Sequence, residues 1–250
     1  MNPYIAELIG TTILVLLGNG VVANVVLANT KGHDSGWVVI TLGWGFAVYT
    51  AVLCVAEYSG AHINPAVTIS LAVARLFAWN LVPGYLAAQM AGGILGGTLV
   101  YLVYRVHYAA TENPDSKLAT FCTSPAIRGV ADNLFSEAVG TFVLVFAVLL
   151  TSNPTFQIST AGSTEPVEVG LGSIGALRVG FVVLTIGLCL GGTTGYAINP
   201  ARDLGPRIAH ALLPIPGKRD SDWSYAWIPV VGPLIGGIAA AFAFMAIPAP

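Results

Sequence analysis

The sequence predicts an all-α membrane protein with six transmembrane helices and two re-entrant half-helices in an inverted internal repeat. Three observations carry that prediction. Of 250 residues, 55% are hydrophobic and 9% charged, against about 25% charged in an ordinary soluble domain, and mean hydropathy is +0.77. Charge-free stretches long enough to cross a bilayer recur six times, and short motifs recur in the same order in both halves. Ten basic and twelve acidic side chains cannot cover a water-facing globule of this size. A soluble enzyme is excluded. The net charge of −2 and the lack of a basic run exclude a nucleic-acid partner. Cys54, Cys122 and Cys189 are too scattered for a disulfide framework or a metal cluster. The opening MNPYIAELIG has no basic residue and carries Glu7. It therefore lacks the n-region of a signal peptide and reads as the start of the first span.

The charge-free stretches are residues 8–30, 35–56, 76–104, 138–164, 179–201 and 223–250. A membrane helix needs about 20 mostly apolar residues. Trimmed at Gly, Pro and polar clusters, the stretches become helices near 5–28, 37–57, 81–104, 133–151, 172–191 and 224–246. Helices are required because lipid offers no partner to unpaired backbone. Two further apolar segments, Pro65 to Ala74 and Pro200 to Leu213, are too short to cross. Each opens with proline at the first helical turn, after an asparagine suited to the N-cap. They are expected to enter the membrane and stop. The chain is expected to be a single domain, 1–250, with repeat halves at about 1–110 and 130–250 joined by the linker 105–132.

Internal similarity supports the halves. Glu7-Leu8-Ile9-Gly10-Thr11 recurs in the second half as Glu137-Ala138-Val139-Gly140-Thr141. Ser59-Gly60-Ala61-His62-Ile63-Asn64-Pro65-Ala66 recurs as Thr194-Gly195-Tyr196-Ala197-Ile198-Asn199-Pro200-Ala201. The two motifs stand slightly farther apart in the second half, which marks a loop insertion. Three spans per half is an odd number, so the second half lies upside down. The half-helices then enter from opposite faces, and their Asn-Pro-Ala N-termini meet near the midplane. Irregular backbone at that depth is tolerated where it lines a cavity or is buried in protein.

These motifs resemble the aquaporin and glycerol-facilitator family (major intrinsic proteins), and the resemblance covers essentially the whole chain. It implies a passive channel for glycerol and similar small uncharged solutes, with water, that excludes ions and protons. The alternative within the class is a water-dominant or broad channel for urea, ammonia or metalloid hydroxides. Two helix N-termini aimed at one point place roughly half a positive charge each there and repel cations. The amides of Asn64 and Asn199 can donate to a passing oxygen, while Pro65, Ala66, Pro200 and Ala201 complete the paired motifs. The resemblance places Arg202, Trp44, Gly187 and Tyr196 in the narrowest filter. Glycine at 187 is expected to open space, and the Trp44 and Tyr196 rings to form an apolar corner opposite Arg202. His62 is expected in the pore wall, and Asp203 as a brace outside it. Glu7 and Glu137 are expected to be buried and to take the N–H groups of the re-entrant loops. Glu57, where an apolar residue is expected, is either at a mouth or solvated. No metal or cofactor is expected, since His33, His107 and His210 lie in other segments without ligand spacing.

The resemblance further implies a homotetramer with one pore per subunit, and the economy of the chain suggests a plasma or inner membrane. The Gly92-Gly93, Gly96-Gly97 and Gly236-Gly237 pairs suit close helix crossing and are candidates for the subunit interface. With the N-terminus inside, as the resemblance implies, only Arg75 and Arg178 lie near the inner face. Lys31, Arg105, Lys117, Arg128, Arg207, Lys218 and Arg219 lie near the outer one, the reverse of the usual bias. An integral-membrane enzyme is excluded for want of a nucleophile–base pair or metal cluster. An ion-coupled transporter would want an unpaired acid beside the solute path, and both repeated glutamates read as loop braces.

Overall fold

The computed structural model describes residues 1–152, 155–160, 163–168 and 171–248, the two six-residue segments by their backbone. Helix α1 (Pro3–Val26) opens on the Asn2 side chain, which accepts from Tyr4 N, with proline in the first turn. Helix α2 (Trp37–Ser59) stops at Gly60, whose φ of 78° is the left-handed cap that glycine adopts without steric cost. The half-helix α3 (Pro65–Val73) follows. It has nine residues, which span about 14 Å at 1.5 Å per residue, half of a hydrocarbon core about 30 Å thick. Then come α4 (Val82–Ala110), the short α5 (Pro114–Ala119) and α6 (Val130–Leu150). Helix α7 (Gly175–Leu190), the second half-helix α8 (Pro200–Leu212) and α9 (Ile228–Met245) complete the chain. Among the described residues six helices are long and apolar enough to cross a membrane, α4 and α7 counted with the single turns Trp79–Leu81 and Gly172–Ile174 that precede them. The protein is a multi-pass membrane protein of the expected all-α class.

Two boundaries depart from expectation. Helix α4 runs to Ala110, well past the expected end at 104. Twenty-nine residues make about 43 Å of helix, so its last turns leave the apolar slab and the linker shortens. Between α6 and α7 lies an antiparallel hairpin, β1 (Thr155–Thr160) with β2 (Ser163–Glu168), in which Thr155 pairs with Glu168 and Thr160 with Ser163. It sits outside the spans, in the region that carries the extra residues of the second half.

The halves interlock. Within each, the first span packs on the next two, α1 on α2 and α4, and α6 on α7 and α9. Each half-helix then packs on the last span of the other half, α3 on α9 and α8 on α4. Gly93 admits the Ala201 carbonyl of α8, and Gly237 admits Ser70 of α3. Gly92 and Gly236 receive the α1 and α6 backbones at Leu8 O and Ala138 O. The paired glycines thus serve close helix crossing inside the protomer, as their spacing predicted. Helices α2 and α7 cross at Gly45 and Gly180: a Cβ on either would stand 3.0 or 2.8 Å from the other's carbonyl oxygen. These glycines occupy equivalent positions of the two halves, so the seam is itself a product of the repeat.

Five of the seven basic residues assigned to one face are bound to the fold. Lys117 donates to Pro216 O, and Lys218 to the carbonyls of His210, Ala211 and Leu213. Arg128 pairs with Asp222, Arg207 with Asp203, and Arg219 with Asp115 and Asp220. In that surface loop the Arg219 guanidinium holds the Asp220 carboxyl below its usual range. These cations are thus engaged by the loops of the fold itself.

Candidate pore and selectivity filter

The two Asn-Pro-Ala segments meet by reciprocal bonds. Each asparagine caps its half-helix: Asn64 Oδ1 accepts from Ala66 N at 2.9 Å, and Asn199 Oδ1 from Ala201 N at 3.0 Å. Asn64 Nδ2 donates to Ile198 O, and Asn199 Nδ2 to Ile63 O, each at 2.8 Å. Each amide keeps a second hydrogen, and both residues border a shared cavity. One side chain thus caps a helix, joins the halves and offers a donor to the lumen.

The loops before the two prolines are strained. Ala61, Ile63, Tyr196 and Ile198 have φ values of 50°, 43°, 37° and 43°, a region that costs a non-glycine residue about 1–2 kcal/mol. A buried carboxylate holds each loop in that shape. Glu7 accepts from His62 N at 2.9 Å and Ile63 N at 2.6 Å. Glu137 accepts from Ala197 N at 2.9 Å and Ile198 N at 2.8 Å. The first residue of the repeated motif adds a hydroxyl donor: Ser59 to Glu7 at 2.7 Å, Thr194 to Glu137 at 2.6 Å. Gln89 Nε2 is a fourth donor to Glu7, at 2.7 Å. The hydroxyls were visible in the motif match. Gln89, on a distant helix, carried no signal.

The cavity has a volume of about 130 Å³. Its walls come from an i, i+4 stripe on each helix: Trp44, Val48 and Val52 on α2, Val179 and Val183 on α7, Leu144 and Val148 on α6, Val67 and Leu71 on α3. That periodicity was in the sequence but indistinguishable from lipid-facing stripes. His62 also lines the cavity, its Nδ1 3.1 Å from Thr68 Oγ1. Among the described residues, no three His, Cys, Asp or Glu side chains gather to hold a metal ion. Glu57 is exposed, away from the cavity lining.

At one end Trp44, Tyr196 and Arg202 converge, all of them buried. The Trp44 ring is seated over Gly18 of α1, a notch that the sequence did not mark as functional. Arg202 donates from Nη2 to Gly195 O at 3.3 Å. Its Cζ lies 4.0 Å from the Trp44 ring centroid. The expected apolar corner opposite Arg202 is thus corrected: the guanidinium rests on the indole, because a cation is attracted to an aromatic face. The expectation for Gly187 is corrected as well. A Cβ there would stand 2.7 Å from Tyr196 Cζ and 2.8 Å from its Oη, so the room that the glycine leaves is filled by the phenol. The Tyr196 hydroxyl is buried without a hydrogen-bond partner among the described residues.

Behind the filter, Asp203 is fully buried. It accepts from Thr123 N at 2.7 Å, Thr123 Oγ1 at 2.6 Å and Arg207 Nη2 at 2.8 Å. Arg207 also donates to the carbonyls of Ser221, Asp222 and Thr123. This network ties the linker and the α8–α9 loop to the base of α8. Thr123, whose side chain abuts Gly195, backs the loop whose carbonyl holds Arg202. Neither Thr123 nor Arg207 stood out in the sequence, since their partners are remote along the chain.

The comparisons with known proteins agree with this geometry. The profile of the family described as Major intrinsic protein matches residues 1–244. A probable glycerol uptake facilitator protein of Thermotoga maritima is 55% identical over 96% of this chain and 97% of its own. A glycerol uptake facilitator protein of Streptococcus pneumoniae is 53% identical over 98% of each. The X-ray structure of the aquaglyceroporin from Plasmodium falciparum superposes with a TM-score of 0.81 at 30% identity, covering 98% of this chain and 95% of that one. With paired half-helices joined through their asparagines, acid-braced loops and a match along nearly its whole length, this chain belongs to the major intrinsic protein family of membrane channels.

Proposed function

We propose that this protein is a passive channel for glycerol and similar small uncharged solutes, with water. The observation that carries the reading is the convergence of two helix N-termini, two asparagine amides and the Trp44–Tyr196–Arg202 cluster on one cavity. Relatives at 53–55% identity bear the name glycerol uptake facilitator, which supports the same solute class. Carbon chains pass against the Tyr196 ring and the apolar stripes of Val48, Val52, Val183 and Leu144. Hydroxyls take donors from Arg202 and, deeper, from Asn64 and Asn199. Cations and protons are repelled by the guanidinium and by the two positive helix ends. Glu7, Glu137 and Asp203 hold the loops, and His62 lines the wall.

A water-dominant channel is the second reading. It is favoured by the phenol filling the Gly187 notch and by Arg202 lying on Trp44, since both narrow the filter. Stopped-flow light scattering on proteoliposomes separates the two. Rapid reswelling in an inward glycerol gradient supports the polyol channel. Fast osmotic shrinkage without reswelling supports the water channel.

The working unit is a homotetramer in the plasma or inner membrane, four protomers each enclosing a pore. The exposed apolar rows of α2 and α7, including Phe46 and Phe181, leave faces for neighbouring subunits as well as lipid. Native mass spectrometry from mild detergent tests the stoichiometry: a species of four chains is expected, and a monomer throughout would contradict it.

A further inference from the structure

We propose that Trp37 is a positioning residue of the filter: it fixes the Tyr196 ring, and through it the largest solute that the channel passes. The inference rests on the channel reading above. Trp37 is the first residue of α2 and lies outside the cavity lining. Its Nε1 donates to Gly187 O at 3.0 Å, one of the last four carbonyls of α7, which no later turn of that helix reaches. Its ring meets Tyr196 edge to face, with centroids 5.8 Å apart and planes at 80°. Both rings close on Gly191, where a Cβ would clash with Tyr196 Cδ1 and stand 2.8 Å from Trp37 Cζ2.

Tyr196 needs such a support. Its backbone is in the left-handed region at φ 37°, and among the described residues its hydroxyl has no hydrogen-bond partner that would lock the ring. Packing holds the ring: the phenol head fills the notch at Gly187, and the ring meets Trp37 edge to face. Trp37 is the accessible part of that clamp, at 38% exposure. Its removal opens space beside the ring without cutting into the core. One indole thus ties the end of α7 to the start of α2 and sets how far the Tyr196 ring stands into the lumen.

The test measures proteoliposome reswelling in glycerol, erythritol and ribitol for wild type, Trp37→Ala and Trp37→Phe. Trp37→Ala is expected to raise the erythritol-to-glycerol and ribitol-to-glycerol ratios about tenfold, the lower end of the range over which a pocket discriminates one carbon unit. Trp37→Phe keeps a ring against Tyr196 and is expected to stay near wild type. A tryptophan that only anchors the helix would lower all three rates together and leave the ratios unmoved, which overturns the inference, as does a fall in the ratios. If Trp37→Ala does not assemble, Trp37→Leu carries the same comparison. Failure of wild type to pass glycerol would instead sink the channel reading.

Discussion

At one end of the cavity stand Trp44, Tyr196 and Arg202, with Gly187 behind them. At the equivalent positions of the other half stand Val179, Ala61, Val67 and Val52. The frame around the two ends is nearly the same. Each has a half-helix opened by Asn-Pro-Ala, a loop at positive φ, a buried glutamate and a hydroxyl donor to that glutamate. Positions alike in both halves hold backbone that lipid would otherwise leave unpaired. In the function proposed above, positions that differ carry the selectivity. On that proposal a frame common to both halves carries a filter at one end only.

The largest effect should come from breaking the shared frame. Glu137→Ala leaves the N–H groups of Ala197 and Ile198 and the Thr194 hydroxyl without their acceptor. Each orphaned donor costs about 1–3 kcal/mol, so the variant should yield no monodisperse protein in detergent. Glu7→Ala, which strands four donors, should fail likewise. If either is folded and active, the loops do not depend on their acids.

Next come the positions that differ. Gly187→Trp places bulk where Tyr196 already lies within 2.7 Å of a Cβ, and glycerol reswelling should fall at least about tenfold. Val52→Ala, the same position in the other half, should leave it within about twofold. Equal losses at both sites would erase the distinction between the ends. Arg202→Val copies Val67. It should admit protons, read by an internal pH dye, because it removes the charge that faces the lumen and its rest on Trp44, an attraction of about 0.5–2 kcal/mol. A proton-tight Arg202→Val channel would assign proton exclusion to the asparagine centre alone. The smallest effect is expected at Tyr196→Phe, which deletes a buried hydroxyl that has no partner among the described residues. Thermal stability should hold or rise by about 1 kcal/mol with glycerol flux within about twofold. A large loss of flux would mean that the hydroxyl itself handles solute.

The same contrast explains what the sequence made legible. Asn64, Pro65, Asn199, Pro200, Glu7 and Glu137 sit in contiguous motifs that occur twice, and half-helix ends followed from proline and asparagine placement to within one residue. Contacts that involve residues outside the repeated motifs were not legible. Trp37 on Gly187, Gln89 on Glu7, and Arg207 on Ser221 and Asp222 depend on helix crossings that no local pattern encodes. The stacking of Arg202 on Trp44 was missed for a related reason: spacing places residues at one level of a pore but does not orient side chains. The α4 overhang and the β1–β2 hairpin lie where apolar patterning ends, and there hydropathy has nothing to report.

The most direct test replaces the filter with its counterpart from the other half: Trp44→Val, Gly187→Val, Tyr196→Ala and Arg202→Val together. Glycerol, water and proton fluxes would be measured by stopped flow in proteoliposomes of matched protein content. Retained water flux is predicted, with loss of the preference for glycerol over larger polyols and a proton leak. A variant that keeps wild-type glycerol selectivity and stays proton-tight would contradict the account and place selectivity in the symmetric centre.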